Sequence, residues 1–392
     1  MSFSFQVLSQ DPNSRARCGK LTTAHGEILT PVFMPVGTQG TVKTLSRREL
    51  LEVGSQIILG NTYHLYLRPG EELLRQAGGL HGFAAWPKPI LTDSGGYQVF
   101  SLAALRQIYD NGVRFQSHID GSRHEFTPES VIRTQRALGS DFMMVLDECA
   151  PHASTREYVE KSLQLTTAWA KRCLHAWQNS EGWYGHEQTL FAITQGGTFA
   201  DLRQRSTEEL LQLEFPGYAI GGLAVGEPKP AMLEMLELST ALLPQHKPRY
   251  LMGVGKPEDL VQAVNLGVDM FDCVIPTRNG RKGQVFTMQG PLNLRNARFK
   301  DDFTPIEAAC DCYACRTYSR AYLRHLFYAQ EILALRMASL HNIRFYHRLM
   351  ASMRAAIQRS AFAEWQVEFW KEYRIADAKQ GQRNLVIQAE SF

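Results

Sequence analysis

Little in this sequence suits a membrane. No apolar run reaches the roughly 18 residues that a spanning helix needs. The N-terminus, Met1-Ser2-Phe3-Ser4-Phe5-Gln6, has no basic segment followed by an apolar core. Both absences lead us to expect a soluble, cytoplasmic protein with no membrane partner. Net charge is also scarce, at +3 over 392 residues, which excludes a polybasic nucleic-acid binder as a whole-molecule description. Cysteine is sparse, with seven in the chain. Low-complexity linkers and internal repeats are absent. The one glycine-rich stretch, Gly221-Gly222-Leu223-Ala224-Val225-Gly226, does not have the G-x-G-x-x-G spacing of a dinucleotide site.

The chain does have ample apolar content, 44%, enough for one large core or a core plus a satellite. Residues 4–32 alternate apolar and polar around Asp-Pro-Asn and His-Gly-Glu turns, which predicts antiparallel strands. Eight short apolar runs follow: Pro31–Val36, Gln56–Leu59, Pro89–Leu91, Phe142–Leu146, Leu190–Ile193, Tyr218–Ile220, Arg249–Met252 and Val268–Phe271. Each is followed by a helical or polar stretch. Continuous apolar strands alternating with helices predict a parallel sheet buried on both faces. Eight units fit a (β/α)8 TIM barrel, with a doubly wound open sheet as the competitor.

A barrel puts chemistry at the C-terminal ends of its strands. Asn61, Asp93, Asp147, Gln195, Gly222, Met252 and Asp272 close seven of the runs. Any one polar residue there could be a helix cap, but five from five strands point to a site. Asp93 and Asp272, on strands three and eight, can face each other across the mouth. Paired carboxylates suit glycosidic chemistry, one attacking the anomeric carbon and one moving a proton. Asp269 sits at a strand start, where a barrel keeps stability. Asp147 can accept hydrogen bonds from a purine-like ring. Gln195 and an amide near Gly222 can donate to its carbonyl, and Tyr97 and Met252 can sandwich it. Each has a plain structural alternative, since Tyr and Met are mostly core and Gly-Gly is mostly a turn.

After Asp272 the rhythm changes. Gln284–Phe286 and Leu292–Ala297 predict a hairpin turning at Gly290-Pro291. A long helical stretch runs from about Ser319 to Arg359. Phe362, Trp365, Phe369 and Tyr373 form the apolar stripe of a last helix. Between Arg316 and Arg359 stand eight arginines against one acid, a local +7. A phosphate-facing surface and a solvated helical face both fit that charge. Cys310, Cys312 and Cys315 form a C-x-C-x-x-C knuckle of zinc-ligand spacing, and His325, His341 or His347 could complete a closed, structural site. The expected division is 1–283, barrel with its N-terminal sheet; 284–360, zinc-binding and Arg-rich; 361–392, a C-terminal helix closing the barrel and a tail.

Taken together, Leu91-Thr92-Asp93-Ser94-Gly95-Gly96-Tyr97-Gln98, Gly221–Glu227, Met270–Val274 with Thr277–Arg281, and the cysteine knuckle resemble the queuine tRNA-ribosyltransferases, or tRNA-guanine transglycosylases, over nearly the whole chain. The resemblance implies that Asp272 is the nucleophile on the ribose of the wobble guanosine and Asp93 the general acid/base. It implies that Asp147, Gln195, Gly222 and the Leu223 carbonyl read the base, with Tyr97 and Met252 on its faces. Lys256, Arg278 and Arg281 would hold a U-G-U anticodon loop. One structural Zn2+ per subunit would sit on Cys310, Cys312, Cys315 and His341, in a homodimer. Cys149 and Val225 resemble the bacterial branch, which implies 7-aminomethyl-7-deazaguanine as the incoming base, with queuine as the alternative. A zinc-dependent barrel hydrolase is disfavoured because the strand ends carry almost no His. A non-catalytic tRNA-binding partner subunit is disfavoured because both central Asp are present.

Overall fold

The computed structural model describes residues 2–102 and 106–373. They divide into two compact units, one comprising the described residues within 2–9, 15–42 and 56–273, the other those within 10–14, 43–55 and 274–373.

The first unit is a closed barrel of eight parallel strands. In chain order these are Val32–Gly37, Ile58–Gly60, Ile90–Thr92, Phe142–Met144, Thr189–Thr194, Gly217–Ile220, Arg249–Leu251 and Met270–Cys273. Each pairs with its sequence neighbour, and the eighth pairs with the first through Met270↔Val32 to Cys273↔Pro35. Every residue of the first and fifth strands is buried, because one face lines the barrel interior and the other meets helices. The expected TIM barrel is therefore present, and the open sheet is excluded by closure.

Two antiparallel sheets decorate this unit. Ser4–Gln10, Arg17–Thr23 and Gly26–Thr30 form the N-terminal one, and the edge strand Ser4–Gln10 alternates exposed and half-buried residues. Phe3 packs edge-on against Phe142 and Phe191 at 5.9 and 6.1 Å. The other sheet, Arg106–Tyr109, Gly112–Gln116 and Arg123–Phe126, is inserted between barrel strands three and four. Asp269 is fully buried at the start of strand eight, accepting from Arg17 Nε at 3.0 Å and the Arg249 amide at 2.8 Å. It holds the strand starts together, as its position predicts.

The second unit is built on the helix Ile332–Gln358. Asn342 inside it accepts from the Phe286 amide at 3.0 Å and donates to the Pro276 and Gln284 carbonyls at 2.9 and 3.0 Å. One side chain thus satisfies the short helix Ile275–Gly280 and a hairpin together. That hairpin pairs Gln284–Thr287 with Gly290–Asn293, so the turn is Met288-Gln289 and Gly290-Pro291 opens the second strand. The expected turn was two residues too late. Proline is tolerated there because the strand is an edge.

The expected 319–359 helix is two helices, Arg320–Tyr328 and Ile332–Gln358, separated where Gln330 adopts φ 59°. Four of the eight arginines are in ion pairs: Arg320 with Asp302, Arg336 with Glu49, Arg344 with Asp311, and Arg348 with Glu307. The last helix covers residues 362–373, with Phe362, Trp365, Phe369 and Tyr373 in one continuous ring stack. The expected tail, 374–392, lies outside the described residues.

Candidate active site

Asp93 follows barrel strand three and is 7% exposed. Its Oδ1 accepts the Thr62 amide at 2.8 Å and the Gly95 amide at 3.2 Å. Its Oδ2 accepts from the Asn61 and Gln98 side-chain amides, the latter at 2.9 Å. These donors favour the charged form, but burial outweighs them, and the Asp272 charge adds to burial. The carboxyl is pushed up to about 6.

Asp272 lies within strand eight, with its carboxylate aimed into the same field. Oδ1 accepts the Tyr250 hydroxyl at 2.6 Å and the Gly253 amide at 2.9 Å. Burial raises this carboxyl too, partly countered by those two bonds. Two carboxyls near enough to repel, each held by neutral donors and no cation, form a poised pair.

Asp147 closes strand four. It accepts from Ser94 Oγ at 2.9 Å and Gln195 Nε2 at 2.8 Å. Burial pushes it up to about 6. Ser94 in turn accepts the Gly96 amide at 3.1 Å, so the Asp93 loop and Asp147 are one network. Gly96 is required here, because a Cβ would come within 2.5 Å of the Asp147 carbonyl oxygen. Gly222 is required twice over: its φ is 66°, and a Cβ would meet Gln195 Oε1 at 2.4 Å. Leu223 is 4% exposed, Met252 half-buried, and Tyr97, on the helix Gly96–Leu102, 55% exposed. Cys149 sits beside the Gly222 amide, and burial pushes its thiol up to about 12.

The structure thus gathers Asp93, Asp147, Gln195, Gly222 and Asp272 in hydrogen-bonded loops at the strand ends of one barrel. Lys256 is exposed at the N-cap of the helix Pro257–Asn265. In the second unit, Arg278 is exposed and Arg281 half-buried. Arg281 Nε donates to the Thr277 carbonyl at 3.1 Å.

Several positioning residues were not anticipated. Tyr250 shares the inward face of strand seven with Met252, and period-two alternation is the signal that could have found it. Gln98 ended a quoted motif without a role. Arg203 is fully buried, donating to the Gly197 carbonyl at 2.8 Å and the Gly221 carbonyl at 3.1 Å, and so fixes the glycine loop from beneath. Glu227 accepts the Ala224 and Val225 amides, the second at 3.0 Å.

The second unit also brings Cys310, Cys312, Cys315 and His341 together, all buried, with ligand atoms within 4.8 Å of one another. His341 Nδ1 lies 3.2 Å from Cys315 Sγ, and its Nε2 donates to the Phe286 carbonyl at 2.8 Å. That bond fixes the tautomer whose Nδ1 lone pair faces the sulfurs, as ligation requires. His347 is instead bonded to Ser55 Oγ at 2.9 Å, and His325 is exposed. Three thiols and one correctly oriented imidazole fit a tetrahedral metal ion.

A family model described as Queuine tRNA-ribosyltransferase matches residues 11–375. Among curated proteins, a queuine tRNA-ribosyltransferase of Caldanaerobacter subterraneus is 56% identical over 369 residues, covering 94% of this chain and 97% of that protein. Proteins of the same description from Halothermothrix orenii (55%, covering 95% and 98%) and Fusobacterium nucleatum (55%, covering 93% and 97%) are similar to it as well.

Proposed function

Because the chain belongs to the queuine tRNA-ribosyltransferase family and is a pentosyltransferase acting as a tRNA-guanine transglycosylase, we propose that it exchanges wobble guanine in U-G-U anticodon loops for 7-aminomethyl-7-deazaguanine through an ester between Asp272 and ribose. The carrying observation is the carboxyl pair of buried Asp93 and half-buried Asp272, in which the Asp272 charge adds to burial in raising Asp93.

In the first half-reaction an Asp272 oxygen attacks C1′ as the C1′–N bond to guanine breaks. Asp93, near 6, supplies the proton that the departing base needs. In the second, Asp93 takes the proton from the ring nitrogen of the incoming base. That nitrogen attacks C1′ from the side guanine left, and the ester breaks. Two inversions give net retention. Asp147, Gln195, Gly222 and the Leu223 carbonyl read the base edge, Tyr97 and Met252 cover its faces, and Lys256, Arg278 and Arg281 take anticodon-loop phosphates.

The metal of the Cys3His cluster is read as Zn2+, from its sulfur-rich donor set. It ties the knuckle to the helix Ile332–Gln358 and takes no part in the chemistry. A homodimer fits the aromatic row of exposed Tyr313 and Tyr322 with half-buried Tyr318 between them, whose rings pack at 5.8 and 5.2 Å. A cytoplasmic site of action follows from the tRNA substrate. No described helix is long and apolar enough to cross a membrane.

Two predictions test this reading. Asp272 acts as a carboxylate, so adduct formation is lost as pH falls through its raised value. Tyr250→Phe removes a bond that favours the charged form. The acid limb of adduct formation then moves up by about one to two pH units, since a hydrogen bond to a charged group is worth about 1.5–3 kcal/mol. An unchanged limb in stopped-time gel assays would remove Tyr250 from the account. Base choice is set by Cys149 and Val225. The double variant Cys149→Ala, Val225→Ala should raise kcat/KM for queuine relative to the aminomethyl base by about 10-fold, the worth of about a methylene or two. Wild-type preference for queuine would reverse the base assignment.

A further inference from the structure

Away from the strand ends, the starts of barrel strands three to five carry a second cluster that the transglycosylase chemistry does not use. His25 lies in the turn between Arg17–Thr23 and Gly26–Thr30, His81 in the helix Gly79–Phe83, and His186 just before the strand Thr189–Thr194. One nitrogen of each lies within 4.8 Å of one on each of the others. Asp141, wholly buried, sits beside them.

The hydrogen bonds sort the ring nitrogens. His25 Nδ1 bonds to Asp141 Oδ1 at 2.9 Å. His81 Nδ1 donates to the Trp86 carbonyl at 2.9 Å, and His186 Nε2 to the Gly139 carbonyl at 3.1 Å. His25 and His186 thus each have one nitrogen held by an oxygen acceptor and a second open to a ligand. His81 Nε2 is buried without a well-aligned hydrogen bond and lies 3.2 Å from Asp141 Oδ2, so a metal ion there would take the place of that contact. Histidines whose second nitrogen is pinned by a carboxylate or carbonyl are the arrangement that metal sites use to orient ligands.

We propose that His25, His81 and His186 form a second metal site, for a first-row divalent cation of the zinc class, distinct from the Cys3His cluster. Three imidazoles suit such an ion, and they exclude the hard cations that prefer oxygen. The rings of His25 and His81 stack face to face at 3.5 Å with a 17° tilt. Binding turns the rings out of that stack, closing the nitrogens to the edge of about 3.3 Å that a tetrahedral site requires. Asp141 then either orients His25 from behind or enters as a fourth ligand. The ion pins the N-terminal hairpin, through His25, to the barrel wall.

The test uses full-length protein with its Cys3His site loaded. It is dialysed against micromolar Zn2+, and metal is counted by mass spectrometry. The control is the double variant His81→Asn, His186→Gln, whose amides keep the bonds to Trp86 and Gly139 but present no imidazole lone pair. The wild type should hold one equivalent more than the variant, with guanine exchange equal in the two. Equal metal counts, or an extra equivalent that saturates only at millimolar Zn2+, overturn the proposal. Should the variant not fold, the wild type alone decides. Zn2+ should protect His25, His81 and His186 from diethyl pyrocarbonate in peptide maps, and undiminished labelling of these three defeats the site.

Discussion

Asp272→Asn should abolish the covalent protein–RNA complex on denaturing gels and lower base exchange by at least about 10^4-fold, the scale on which removing a nucleophile acts. The substitution is close to isosteric. Its amide oxygen can still accept from the Tyr250 hydroxyl and the Gly253 amide, which the native carboxylate accepts at 2.6 and 2.9 Å. The fold and tRNA affinity should therefore survive, and the loss should fall on kcat. Asp93→Asn provides the contrast. It leaves the nucleophile in place but removes proton transfer, so exchange should fall by about 10^2–10^4-fold while some adduct still forms. A variant lacking Asp272 that still traps RNA would overturn the assignment.

The second large effect concerns the Cys3His cluster. Cys312→Ala removes one of four buried ligands and leaves His341 Nδ1 facing an incomplete set. Metal binding and folding are coupled in such sites. The variant should lose this metal equivalent. Its thermal transition should fall by on the order of 10 °C, because several kcal/mol of binding energy no longer support the folded state. Exchange activity should decline through loss of folded protein, with KM for the base unchanged in the fraction that remains. If Cys312→Ala kept its metal and its transition temperature, the cluster would not be a metal site.

The contrast between these sites shows what a sequence exposes. The barrel was legible because eight buried strands must be apolar on both faces, and such runs are hard to mistake. The polar residues that interrupt them at the ends, Asn61, Asp93, Asp147, Gln195 and Asp272, stand out against that background. The knuckle was legible because three of its ligands lie within six residues. The fourth was not, since His325, His341 and His347 share one helical region, and only the folded positions separate them: His341 against the sulfurs, His347 on Ser55, His325 exposed. Without the family resemblance, the choice would have stayed open.

What stayed hidden depended on long-range partners. The sheet of Arg106–Tyr109, Gly112–Gln116 and Arg123–Phe126 was not among the expected elements, because its strands are short and polar and are defined by their pairing. The arginine-rich stretch fits a phosphate surface and a solvated face equally until Glu49, Glu307 and Asp311, remote in sequence, pair with Arg336, Arg348 and Arg344. Tyr250 looks like core and turns out to hold the nucleophile. The His25, His81 and His186 cluster is drawn from three segments that no spacing rule connects.

The central claim, an ester from Asp272 to ribose, is tested most directly on the wild-type protein. An anticodon stem-loop with U-G-U is incubated without competing base, the complex is quenched and digested, and the peptides are sequenced by mass spectrometry. The account predicts one ribose-linked peptide with the added mass on Asp272, lost when 7-aminomethyl-7-deazaguanine is supplied before the quench. A modification on Asp93, or exchange proceeding with no adduct on Asp272, would contradict it.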